Sequence, residues 1–279
     1  MNYGTGALES KYDIRDYRFS PADRGGFDWE VGYDIEKELG VTLVVKDQDG
    51  SSSCGGQAWA YYGEVLEKFA TGDYEQRSAR WIYSHTHKPT GGSVGRENCA
   101  FCIKNGWALE KHASSYDQGK PPREKFMIQI PDLSPIAKED LEVSKALSYL
   151  RVSPNIEVFA QAIQENHGLV LVLNGADNGS WRTLFPKPPT EKEWGHFLYA
   201  GRAKMIDGKK YIGVVNSWGD VGEKGWQWIG EDYFNSGHVR EGWTMAWNYT
   251  PAKNKIIMKQ MIKLLTRVVE LLTKQKQND

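Results

Sequence analysis

Apolar and polar positions follow two rhythms along the chain. From Cys54 onward, Ala58, Tyr62, Val65 and Phe69 recur at i, i+4, i+7 and i+11, the spacing of one helical face, and Gly72 follows as a stop. Ser51, Ser52 and Ser53 offer N-cap hydroxyls just ahead of that helix. Further helices are expected near residues 79–83, 97–104 and 156–165, the last opened by Pro154 and Asn155. Shorter apolar runs at 126–130, 168–174, 196–205 and 211–216 are divided by Gly, Asp and Pro and read as strands, as does the run VTLVVK at 41–46. Helices first and strands afterwards predict an α+β protein.

The ends read differently. Residues 1–40 are polar and Gly-rich and suit an extended lead-in that wraps a body. Residues 251–279 predict an amphipathic helix, with Ile257, Met261, Leu264, Val268 and Leu271 on one side and Lys259, Lys263, Arg267 and Lys274 on the other. This tail holds seven basic and two acidic residues, net +5 within a chain of net charge −1. Three uses fit it: docking on its own body, self-association, or lying on an anionic surface.

Composition narrows the class. The chain has 279 residues, 40% hydrophobic and 25% charged, enough for two lobes sharing an interface. Its charge balance gives no reason to expect nucleic acid as a partner. The eleven Trp residues suggest aromatic walls around a cleft. Three cysteines are too few and too odd for a disulfide framework, and neither a signal-peptide core nor a spanning segment is visible, so a cytoplasmic setting is expected.

Cys54 stands at the predicted start of a helix, where unpaired N–H groups and the macrodipole favour an anion, and a thiol there is depressed toward thiolate. Its neighbours are Ser and Gly, so a backbone can approach closely. The stretch from Gln48 to Cys54 (QDGSSSC) resembles the active-site segment of the papain-like cysteine peptidases, with Gln six residues before the nucleophile. Gly195-His196-Phe197 follows, 142 residues after Cys54 to the histidine, and Asn216-Ser217-Trp218-Gly219 stands 162 residues after it to the asparagine. Gly222-Glu223-Lys224-Gly225-Trp226 continues like the family's glycine-rich segment, and Asp13–Tyr17 (DIRDY) is similar to the opening of bacterial and phage-type members.

The resemblance covers about residues 41–248. It implies a two-lobed fold in which a helical lobe (about 50–125) faces an antiparallel β-barrel-like lobe (about 126–250), making a peptidase domain over 41–250 with the C-terminal helix added. It implies Cys54 as nucleophile, His196 as its base and acid, and Asn216 as the group orienting the imidazole. Gln48 would supply an oxyanion donor with the Cys54 N–H, and Trp218 would shield the His–Asn bond and border the cleft. Gly91 and Gly92 match the pair along which substrate backbone lies, and Trp194 would wall the opposite side. No cofactor or metal is required, and the partner is a peptide or protein substrate.

Three departures are visible. Gly55 replaces the Trp that usually follows the nucleophile; Ser51 stands where a paired Cys is usual; no long propeptide precedes the match. A register placing Gln57 at the nucleophile would set Gln48 nine residues ahead, too far for an oxyanion role. Cys99 and Cys102, with His85 and His87 nearby, offer ligand types for a metal, but their order and spacing match no common site and a helix face fits the two cysteines better. The rivals to hydrolysis are acyl or amide transfer by the same triad, and a non-catalytic papain-like binding module assembled through the tail.

Overall fold

The computed structural model describes residues 5–21, 26–120 and 123–246; the predicted C-terminal helix lies outside the described residues. The elements in chain order are β1 (Ala7–Leu8), β2 (Tyr33–Asp34), α1 (Ile35–Leu39), α2 (Cys54–Thr71), α3 (Ala79–Thr86), β3 (Ser93–Val94) and α4 (Gly95–Asn105). Then come α5 (Glu124–Met127), α6 (Pro135–Val143), β4 (Ser148–Val152), α7 (Ile156–Asn166), β5 (Leu169–Gly175) and β6 (Trp194–Ile206). β7 (Lys209–Val215), β8 (Trp226–Gly230), α8 (Glu231–Asn235) and β9 (Val239–Ala246) complete it.

α2 begins at Cys54 and is closed by Gly72 in the left-handed conformation at φ 79°, where glycine carries no Cβ penalty. It is buried on nearly every side, which an amphipathic stripe does not describe. Trp59, Tyr61 and Tyr62 sit in the core, whereas Phe69, assigned to the apolar stripe, is 52% exposed and lays its ring on His167. Ser53 is the N-cap residue but its hydroxyl makes no capping bond. The first-turn N–H groups are therefore not taken up by the serine expected to hold them.

The main sheet is antiparallel, ordered β4-β9-β5-β6-β7-β8, with β2 added on β6. Period-2 alternation sends the two sides of β5 into different cores: Val170 and Val172 join Trp59 and Tyr62 of α2, while Leu169, Leu171 and Leu173 join Phe159 and Ile163 of α7. The sheet lobe is not a barrel. Its outer strands β4 and β8 are not paired with each other, so the sheet is open.

Two predicted strands are corrected. Residues 126–130 enter α5 and a turn: Met127 N bonds Arg123 O and Ile128 N bonds Glu124 O, so the backbone is satisfied locally in place of a ladder. Residues 41–46 form no strand: Leu43, Val44 and Lys46 donate their N–H groups to Glu36 Oε1, Tyr74 OH and Tyr61 OH instead of a ladder. Lys46 Nζ meets Glu64 Oε1 at 2.6 Å, both buried, and Glu64 also accepts from Tyr74 OH and Arg77 N. That satisfied pair anchors the chain two residues before Gln48.

The lead-in is tied down along its length. β1 pairs with β3 in parallel, Ser10 N donates to Glu241, Arg96 bonds Asp16, and Tyr17 and Phe19 exchange backbone bonds with Arg151 of β4.

Candidate active site

Cys54 is the first residue of α2, and His196 and Asn216 lie on β6 and just beyond β7, which are hydrogen-bonded neighbours. All three are fully buried. His196 Nε2 donates to Asn216 Oδ1 at 2.9 Å, while Nδ1, also buried, has no hydrogen-bond partner among the described residues. Asn216 is itself held: Oδ1 also accepts from Ser217 N at 2.8 Å, and Nδ2 donates to Gln227 Oε1 at 2.8 Å. Gln227 Nε2 then bonds Trp181 O and Thr183 O. This relay fixes which end of the Asn216 amide faces the imidazole, and hence which imidazole nitrogen stays open. Gln227 was not among the predicted residues; its signal was a lone polar residue inside the apolar run WQWIG of β8.

Trp218 stacks on His196 with ring centroids 4.5 Å apart and an interplanar angle of 27°. Trp181 and Trp194 pack edge-on around the same imidazole and enclose, with Trp218, a cavity of about 190 Å³ on its flank. Burial pushes His196 down to about 4, against the raising effect of Asn216. Burial likewise pushes the Cys54 thiol up to about 12, and backbone hydrogen bonds with Phe197, Gly55 and Gly6 and its own amide pull the other way.

Gly6 of the lead-in has its backbone at the thiol. Gly6 N donates to Gly195 O at 3.1 Å, and Ser93 N donates to Gly6 O at 2.8 Å, so the segment is bonded on both flanks. A Cβ on Gly6 would lie 2.3 Å from Ser52 O and 2.8 Å from Gly92 Cα. Gly91 and Gly92 adopt φ of 82° and 75°, and a Cβ on Gly92 would meet Gly6 O at 2.2 Å. Gly92 thus lies against the lead-in backbone at Gly6, while a Cβ on Gly91 would meet only Ser52.

Gln48 is buried beside this group. Its backbone N–H bonds Ser217 O, its Nε2 donates to Ser51 O at 2.7 Å, and its Oε1 accepts from Ser217 Oγ. Gln57, the other register, turns to Ser53 Oγ at 3.4 Å, while Cys54 reaches the Phe197 backbone.

With this geometry the molecule superposes on known proteases. Xylellain, a cysteine protease from Xylella fastidiosa, aligns with a TM-score of 0.74 at 20% identity, over 88% of this chain and 97% of its own. Procathepsin B S9 from Trypanosoma congolense gives 0.69 at 14% identity, over 88% and 87%. The cysteine protease CMS1MS2 of Carica candamarcensis, solved in complex with E-64, gives 0.57 at 18%, over 78% and 98%. The fold is papain-like. No protein-family model and no curated protein matches the sequence.

Within the papain-like fold, the departure at Gly55 has a steric cause: a Cβ there would lie 2.3 Å from Ser93 Oγ and 2.7 Å from Asn98 Nδ2, so those two residues hold the space a larger side chain would need. Cys99 and Cys102 are free thiols buried in the core face of α4, while His85 stacks on Phe101. Among the described residues no group of three or more His, Cys, Asp or Glu is placed to hold a metal, and no helix is long and apolar enough to cross a membrane.

Proposed function

We propose that the chain is a cysteine peptidase that hydrolyses peptide bonds through Cys54, His196 and Asn216. The single observation that carries this is the His196–Asn216 bond through Nε2, which leaves Nδ1 as the buried imidazole nitrogen available to the thiol.

The chemistry runs in two halves. Nδ1 takes the Cys54 proton, and the thiolate adds to the peptide carbonyl. The oxyanion accepts from the Cys54 N–H and the Gln48 side-chain amide, donors worth about 3–4 kcal/mol in comparable acyl transfers. His196 returns the proton to the leaving amine as the C–N bond breaks, giving a thioester. It then deprotonates a water that displaces the acid and restores the thiol. Asn216, oriented by Gln227, keeps the tautomer correct, and Trp218 excludes water from that bond. Substrate replaces Gly6 and its neighbours between Ser93 and Gly195.

The test is intact-mass measurement after treatment with an epoxysuccinyl cysteine-peptidase probe, followed by product analysis of cleaved peptides in labelled water. One adduct is expected, lost in Cys54→Ala and kept in Cys99→Ala/Cys102→Ala, with label entering the new carboxylate. No adduct, with the lead-in displaced as well as in place, overturns the reading.

A further inference from the structure

Arg240 of β9 lies one residue along the cleft from the thiol. Gly6 has its backbone at Cys54, and the next residue, Ala7, offers its carbonyl oxygen to Arg240 Nη2 at 3.1 Å. The same Nη2 would be 2.8 Å from a Cβ on Gly195, so the guanidinium borders the strip between Gly195 and Ser93 where the lead-in now lies. A guanidinium carries five N–H donors. Here Nε and Nη1 are both buried with no hydrogen-bond partner among the described residues. Among the described residues, the buried cations Lys46 and Arg77 each meet a carboxylate, Glu64 and Glu67.

The nearest carboxylate in sequence does not satisfy Arg240. Glu241 follows it on the strand and uses Oε1 for Ser10 N and Oε2 for the Trp243 indole. Glu9 acts on Arg240 electrostatically but is exposed and makes no bond to it. Each bidentate edge of the guanidinium includes Nη2, so a carboxylate meets a complete fork once Ala7 O leaves; with Nε and Nη1 unpartnered, this partly buried cation beside a groove that binds backbone on both edges suits a carboxylate.

We propose that Arg240 is a specificity-determining residue, receiving an Asp or Glu side chain on the substrate residue next to the one whose carbonyl Cys54 attacks, on its acyl side. This rests on the peptidase reading above. When substrate displaces the lead-in, Arg240 loses a neutral carbonyl and gains a carboxylate that can take two parallel N–H bonds.

The experiment compares kcat/KM of the full chain on three peptides differing only at that position: Glu, Gln or Lys. The ratio is read in place of the absolute rate, because Arg240 also holds Ala7. In the unaltered chain Glu is expected to exceed Gln by about tenfold or more. Arg240→Gln brings the ratio near one, Arg240→Lys keeps a reduced preference for Glu, and Arg240→Glu turns it toward Lys. Equal cleavage of the Glu and Gln peptides by the unaltered chain, a comparison that needs no variant to fold, overturns the proposal. So does an unchanged ratio in Arg240→Gln. If no peptide is cut while Cys54 fails to take the probe, the peptidase reading falls and this inference with it; if peptides are cut without regard to Glu, only this inference falls.

Discussion

Two stretches of chain border the candidate site, and they are held in different ways. His196 and Asn216 belong to the main sheet and are fastened by side-chain bonds that end on backbone carbonyls through Gln227. Gly6 and the two-residue strand Ala7–Leu8 are fastened by a few backbone bonds and by an arginine whose Nε and Nη1 are vacant. The first arrangement is specific to its residues, since each amide and imidazole must present one particular atom. The second asks only for an extended backbone without bulk at Gly6, which any peptide with the right side chain for Arg240 also provides. A site fixed on one flank and held only through backbone on the other suits the peptidase reading proposed above.

The contrast can be broken from the fixed side first. Lys46→Met leaves Glu64 buried without its countercharge, beneath the segment that carries Gln48 and Cys54, and is expected to cost about 3–5 kcal/mol in urea unfolding. A loss below 1 kcal/mol would show that this frame is not anchored there.

His196 supplies the next effect, through pH. Its folded value is near 4 against 6.5 for an ordinary imidazole, so between those values the unfolded chain binds the extra proton. Stability contributed by neutral His196 is therefore present above about pH 6.5 and is lost as pH falls toward 4, by about 3 kcal/mol in all. His196→Gln should flatten that part of the stability–pH curve relative to the unaltered chain; identical slopes would contradict a buried neutral imidazole.

Gln227→Leu leaves the Asn216 amide without its acceptor and is expected to lower kcat on a peptide substrate about 10- to 30-fold, roughly 2 kcal/mol, with KM nearly unchanged. A matching rise in KM would assign Gln227 to the walls of the cleft instead. The smallest effect is on the exchangeable side. Gly6→Val drives a side chain against Ser52 O, so probe labelling of Cys54 should quicken about three- to tenfold while the unfolding midpoint moves little. Slower or unchanged labelling would mean the lead-in does not limit access.

Much of this was legible in the chain. The start and stop of α2, the Asn155 cap of α7, and strands β5, β6 and β7 follow from periodicity and end signals, which act over a few residues. Motif order and spacing pointed to Cys54, His196, Asn216 and Trp218, and the fold brings the last three into contact. Residues 41–46 and 126–130 misled because a short apolar run becomes a strand only if a partner edge is within reach, and here side chains or a turn satisfied the backbone first.

Sequence alone determined which residue types stand at which local positions: a thiol opening a helix, glycines where the backbone crowds, an Asn and a Trp after a strand. Tertiary structure decided the rest. It made the sheet open, set Gln227 behind Asn216, laid Gly6 at the thiol and put Arg240 beside it. Those pairings join residues far apart in the chain, up to 233 positions for Arg240 and Ala7. No local pattern encodes them, because their bonds exist only once the sheet has brought its strands together and excluded the water that would otherwise serve the same donors.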